Sequence, residues 1–189
     1  MLEGPEDGRV HYRRHRARPI DAPPAAVWPW LVQMGYDRGG WYAIDVLEKA
    51  FGVGRFATGW SARRVEPDLQ DLAVGDRMPL TATRWLDVTV MDAPHELELV
   101  MPPGLLTWTW RFTLEPLEPH SQHAHGRTLL GITTELSVRA RSVPARLAAR
   151  VAFAAFDLGH GLMEAVQLRT LARRIPAALS AARRTDPSG

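Results

Sequence analysis

Two places in the sequence carry side chains able to move protons. The first is the stretch Asp37, Arg38, Tyr42, Asp45 and Glu48. Tyr42 and Asp45 are three residues apart, as are Asp45 and Glu48, so on a helix each pair shares a face and the two carboxylates can act as acid and base if that face meets a cavity. The same residues also serve structure, because Asp37 and Arg38 suit a Gly-Gly turn and early carboxylates favour a helix dipole. The second place is His160, set in a long apolar stretch between Gly159 and Gly161. Tyr42, Asp45 and His160 are therefore the catalytic candidates for a cyclisation or dehydration.

Other motifs fall short of a chemistry. His120, His123 and His125 lie in a polar stretch with no carboxylate or cysteine close by, which predicts a solvated loop and no metal. Gly52-Val53-Gly54 follows a predicted helix, whereas a dinucleotide fingerprint follows a strand. There is no phosphate-binding loop, no Gly-x-Ser-x-Gly elbow and no histidine-carboxylate metal motif. No cofactor is expected.

The elements that must position these residues can be read from periodicity. The long run Ser142 to Ala182 predicts a C-terminal helix of about thirty residues, with Ser142 and Pro144 at its start and a kink near Pro176. In its middle Phe156, Leu158, Leu162, Met163, Val166, Leu168 and Leu171 read as the buried side. Glu164, Gln167, Arg169 and Thr170 read as the wet side. A bend is cheapest at Gly159 and Gly161.

A first strand is expected over His11–Ile20, then a short helix from Pro24 to Met34 and a second from Trp41 to Phe51. Val53 to Val74 reads as a long loop that could form a lid. After Asp76 the apolar residues alternate: Leu86, Val88 and Val90; Leu97, Leu99 and Met101; Trp108, Trp110 and Phe112; Leu130, Ile132 and Thr134. Such alternation predicts an antiparallel sheet with one wet face. Its apolar face supplies Leu97, Leu99, Met101, Trp108, Trp110, Phe112, Ile132 and Thr134. Across from it stand Phe156, His160 and Met163, with Trp41 and Tyr42 beside them. These thirteen side chains either fill a core or line a ligand cavity.

At 189 residues and 46% apolar the chain suits one domain, expected over residues 1–182 with a disordered tail from 183 to 189. The absence of cysteine excludes disulfides and thiol chemistry. No signal peptide or membrane span is evident, and a cytoplasmic setting is expected. Net charge is only +2, yet nine arginines between Arg139 and Arg184 face only Asp157 and Glu164. That helix is either a solvated basic face or a contact for an acidic partner or membrane surface; nucleic acid is not expected.

Particular residues add a resemblance. Ala22-Pro23-Pro24-Ala25-Ala26-Val27-Trp28-Pro29-Trp30-Leu31-Val32-Gln33-Met34-Gly35, then Asp37-Arg38-Gly39-Gly40-Trp41-Tyr42 with Asp45 and Leu47-Glu48, Gln70-Asp71-Leu72, Val74-Gly75-Asp76 and Met163-Glu164 resemble the START-like SRPBCC superfamily, in its polyketide cyclase/dehydrase-like subgroup. The resemblance implies an α+β helix-grip fold, a curved antiparallel β-sheet wrapped around a long C-terminal α-helix with two short helices after the first strand. It also implies a cavity for a lipid, polyketide or similar hydrophobic molecule, and supplies no universal catalytic residue. Three functions follow as expectations: binding of such a molecule, a cofactor-independent cyclase, aromatase or dehydratase in the same cavity, or an interaction module built on the basic helix.

Overall fold

The computed structural model describes residues 8–43, 61–102, 104–117 and 126–185. Along these the chain forms β1 (Arg9–Ile20), α1 (Pro24–Val32), a single 3-10 turn (Pro67–Leu69), β2 (Arg77–Thr81), β3 (Arg84–Asp92), β4 (Glu96–Val100), β5 (Leu106–Leu117), β6 (Arg127–Arg139) and α2 (Val143–Thr185). The body of the expected second helix, with Asp45 and Glu48, lies outside the described residues, as do positions 53–60 of the loop and His120, His123 and His125.

All six strands form one antiparallel sheet in the order β1-β6-β5-β4-β3-β2. The first strand crosses the sheet to pair with the last, and only then does α2 leave from the end of β6 and lie back over the sheet. This is the helix-grip arrangement. Alternation holds well in β5, where Trp108, Trp110, Phe112 and Leu114 are buried and the intervening residues are not. On the opposite face Arg111 bridges Glu96 and Glu98, a polar ladder suited to water.

The alternation breaks where strands slip, between Pro79 and Thr81 and again in β3, and in β6 residues 130–134 are all buried. The register of β3 against β4 slips between Val88 and Val90, so Met91, not Val90, pairs with Leu97 and packs on the core. A bulge shifts side-chain parity by one, which a strict period-two reading of Leu86, Val88 and Val90 misses. Met101 falls beyond the end of β4 and lines the rim of the sheet instead of its interior. The hairpin partner β2 had no clear alternation and was not anticipated.

Near the start of the chain α1 ends at Val32, two residues short of expectation. Its last carbonyls are received by a side chain: the Arg38 guanidinium donates to Val32, Met34 and Leu69 carbonyls. Trp41–Ala43 are not helical, and Tyr42 takes a left-handed conformation at φ 58°. Gly40, at φ 76°, lies so close to Ser61 that a Cβ would sit 2.7 Å from its Oγ. Only glycine fits both demands.

Helix α2 is one continuous element of 43 residues, roughly 65 Å at ~1.5 Å per residue. It starts where Ser142 accepts from the Ala145 and Arg146 amides. It runs through Pro176 to Thr185, so Arg183 and Arg184 are helical where a disordered tail was expected. Its buried side is only partly the predicted one: Leu168 and Leu171 are buried and Arg169 exposed as expected, but other positions are exchanged. Glu164 is 1% exposed and Gln167 fully buried, with Thr170 also inside, whereas Leu158 is 79% and Leu162 55% exposed. The reason lies in strand β1.

Candidate functional site

β1 is an edge strand, and its face toward α2 carries Tyr12, Arg14 and Arg16, each two residues from the next. Register puts them opposite Leu136, Thr134 and Ile132 of β6. Tyr12 and Arg16 are partly buried and Arg14 is exposed, and α2 supplies polar partners to all three. Tyr12 donates to Asp157 Oδ1 at 2.5 Å, Arg14 to Oδ2 at 2.7 Å and Arg16 to Oδ1 at 2.8 Å. Arg16 also donates to Glu164 Oε2 at 2.6 Å. Gly161 makes this possible: a Cβ there would collide with the Arg16 guanidinium. The glycine is a passage for arginine and not the hinge that the sequence suggested.

These contacts set the titration of the cluster. Hydrogen bonds from Arg14 and Tyr12, then Arg16, hold the Asp157 carboxyl well below the ordinary carboxylate range against the opposing effect of burial. Burial, reinforced by the Asp157 hydrogen bond, pushes the Tyr12 phenol up to about 12. A depressed carboxylate adds stability that is complete above its unfolded value, near 3.9, and is lost as pH falls below it. A raised phenol adds stability that is complete below ~10 and is lost toward 12. Urea denaturation across pH should therefore show both limbs. Asp157→Asn should flatten the acid limb; an acid limb unchanged in that variant would refute the pairing.

Glu164 is the centre of a second, deeper cluster. Its Oε1 accepts from Thr134 Oγ1 at 2.5 Å and Trp110 Nε1 at 3.2 Å, and His160 Nδ1 lies 3.3 Å away. Burial alone would raise this carboxyl. Hydrogen bonds from His160 and Thr134, with the nearby Arg16 guanidinium, outweigh it and keep Glu164 below its usual value. An ionised carboxylate thus sits in the core, ringed by donors.

Aromatic rings enclose the His160 imidazole. Phe156 stacks on it at 4.6 Å between centroids, while Trp108 and Trp110 meet it edge-on at 5.2 and 5.3 Å. Trp41 lies against Trp110 at 5.2 Å. Here the core departs from ordinary packing: Trp41 Nε1, Trp108 Nε1, His160 Nε2 and Gln167 Oε1 are buried with no hydrogen-bond partner among the described residues. Each such atom costs about 1–3 kcal/mol if nothing satisfies it. Two of them, on Trp108 and His160, belong to rings in direct contact; Trp41 lies against Trp110, and Gln167 is one turn along α2 from Glu164.

The thirteen predicted binding residues divide accordingly. Trp41, Trp108, Trp110, Thr134, Phe156 and His160 come together around Glu164. Leu97, Leu99, Phe112 and Ile132 are fully buried in the adjoining core, Met163 packs against it half-buried, and Met101 is at the rim. Tyr42 is buried, but its hydroxyl accepts from Gln33 Nε2 at 2.7 Å and donates to the Trp30 carbonyl. It works as a strut between α1 and the following loop, already engaged by the protein. Arg16, Glu164 and Gln167 are the members that sequence reasoning missed. The usable signal was acidic and amide residues at helical spacing with His160, namely Asp157, His160, Glu164 and Gln167, facing alternating arginines on a strand. Among the described residues no group of three potential metal ligands exists.

A groove of about 610 Å³ opens at the rim, lined by Thr83, Arg84, Trp85, Met101, Leu105 and Leu106 among others. One of its lining residues, Met101, donates its amide to the Trp108 carbonyl at 2.8 Å.

Comparison with known proteins bears on the fold. No protein-family model matches the chain, and no curated protein matches its sequence. Among solved structures, a protein of unknown function from Staphylococcus aureus superposes with a TM-score of 0.51 at 10% identity, covering 91% of this chain and 98% of that one. Truncated norcoclaurine synthase from Thalictrum flavum gives 0.48 at 13% identity over 87% and 96% of the two chains. CalU16 from Micromonospora echinospora gives 0.37 at 17% over 91% and 95%. At such identities the likeness is one of architecture. The resemblance read from the sequence holds at that level, and by fold this chain is a helix-grip protein.

Proposed function

We propose that the protein binds a flat, hydrophobic small molecule bearing a hydroxyl or enol, with its polar end received at His160. The observation that carries this reading is the set of four unpartnered buried polar atoms around the Glu164–His160 pair. Their chemistry defines the ligand. In the tautomer whose Nδ1–H faces Glu164, the His160 ring presents Nε2 as an acceptor, so it suits a ligand O–H. The two indole N–H groups are donors only, so they suit a ligand oxygen. A phenolic or enolic hydroxyl answers both demands, and stacking on Phe156 and Trp108 favours a planar ring system. The rim groove, whose Met101 amide bonds to the Trp108 carbonyl, is the proposed way in.

A second reading rests on the same pair. A carboxylate on Nδ1 and a free Nε2 is the geometry of an oriented general base, with Glu164 stabilising the imidazolium that forms. In that reading His160 draws the proton from the bound hydroxyl during a cyclisation or dehydration, without a cofactor. Tyr42 has no part in it.

Native mass spectrometry of freshly purified protein, beside its denatured mass, tests occupancy. The expected result is an additional mass that solvent extraction recovers as an oxygen-bearing aromatic or polyene compound. Recovery of a saturated acyl lipid alone would contradict the proposed ligand class.

A further inference from the structure

We propose that the rim where β6 turns into α2 docks on the surface of an anionic lipid bilayer. This goes beyond ligand binding and rests on other residues, apart from Leu105 and Arg84, which also line the rim groove. Leu105 is 86% exposed, Val143 74%, and Leu147 and Val151 63% each. Leu105 belongs to the same end of the molecule as Val143, because its neighbour Leu106 pairs with Val138 near the end of β6. At about 100° per residue, Val143, Leu147, Val151, Leu158 and Leu162 fall within roughly a third of the helix circumference. An apolar stripe thus runs along the outer side of the first half of α2, opposite the side that grips the sheet.

The charge around the stripe has one sign. Both acidic residues of α2, Asp157 and Glu164, are turned inward and neutralised by Arg14 and Arg16. The outward surface of the helix is left with arginines, Arg150 and Arg169 next to the stripe. At the rim Arg84, Arg139 and Arg141 are exposed and form no ion pair among the described residues. The acidic side chains Asp21, Asp92 and Glu115 are exposed near the opposite end of the sheet. A second copy of the chain on this face would set arginine against arginine. Anionic headgroups neutralise them while the acyl boundary takes up the leucines, as an interfacial helix requires. Among the described residues no helix is long and apolar enough to cross a membrane, and the proposed contact is with its surface. Docked this way, the groove at Trp85, Met101 and Leu105 opens onto the bilayer, and a hydrophobic ligand can exchange without passing through water.

The test is co-sedimentation of the full chain with vesicles of phosphatidylcholine alone or mixed with phosphatidylglycerol. Binding to the anionic vesicles, weakening as salt is raised, is the expected result. Arg139→Gln with Arg141→Gln should weaken it roughly tenfold or more, each surface cation contributing several-fold. Leu147→Glu with Leu158→Glu should abolish it, with circular dichroism unchanged because both leucines are exposed. Equal affinity for neutral vesicles, no binding to anionic ones, or full binding by the glutamate variant would overturn the proposal. So would a dimer in solution that the glutamate variant dissociates in the absence of vesicle binding, since the stripe would then be an interface between copies.

Discussion

Replacing Glu164 with alanine is expected to lower the unfolding free energy by about 3–5 kcal/mol, the cost of removing one member of a buried, hydrogen-bonded charge pair. The loss comes less from the carboxylate itself than from what it leaves behind. Arg16 Nη1, Thr134 Oγ1 and Trp110 Nε1 would each lose an acceptor where water has little access. Glu164→Gln keeps an oxygen for Thr134 and Trp110 and should cost less. Urea denaturation at pH 7 measures both. A loss under ~1 kcal/mol for the alanine variant would mean that the side chain behaves as a solvated one, and the buried polar cluster described here would be wrong.

The next largest effect concerns the ligand. His160→Phe keeps a flat ring between Phe156 and Trp108 and removes both imidazole nitrogens. Loss of a hydrogen bond to a buried ligand group is worth about 1–3 kcal/mol, so affinity for a hydroxyl-bearing aromatic should fall roughly 10- to 100-fold. Affinity for the same ring system without its hydroxyl should hardly change. Stability should fall only slightly, because Glu164 retains Arg16, Thr134 and Trp110. Isothermal titration calorimetry with naphthol and with methylnaphthalene separates the two effects: a parallel loss for both compounds would assign His160 a packing role and remove it from recognition.

The sequence disclosed the architecture more fully than the site, and the reasons are physical. Strong alternation in β5 and β6 arises from one apolar face meeting a core, and such a pattern needs no knowledge of partners. Periodicity failed on α2 because it assumes that polar means wet. Glu164 is inside since β1 brings Arg16 to it across 148 residues of sequence, while the Gln167 amide donates to Met34 Sδ, and nothing local records either pairing. Leu158 and Leu162, apolar yet exposed, misled the same reading from the other side. His160 does lie in the buried aromatic cluster, but its neighbour Glu164 reads in sequence as facing water. Gly161 looked like a bend because a glycine's local flexibility is visible in sequence while the room it leaves for a distant guanidinium is not. Trp41 and Tyr42 were both expected at the site; one contributes an unpartnered indole there, and the other spends its hydroxyl on Gln33 and Trp30.

The central claim is that the buried polar atoms around His160 recognise a ligand hydroxyl, and the most direct measurement is the affinity of the native protein for a matched pair of compounds differing only in that group. Calorimetric titration should give naphthol an affinity roughly 10- to 100-fold above that of methylnaphthalene, from the hydrogen bonds completed at His160 and the tryptophan N–H groups. Equal affinity for the two, or tighter binding of the hydrocarbon, would contradict the claim and leave the cluster as a purely structural network.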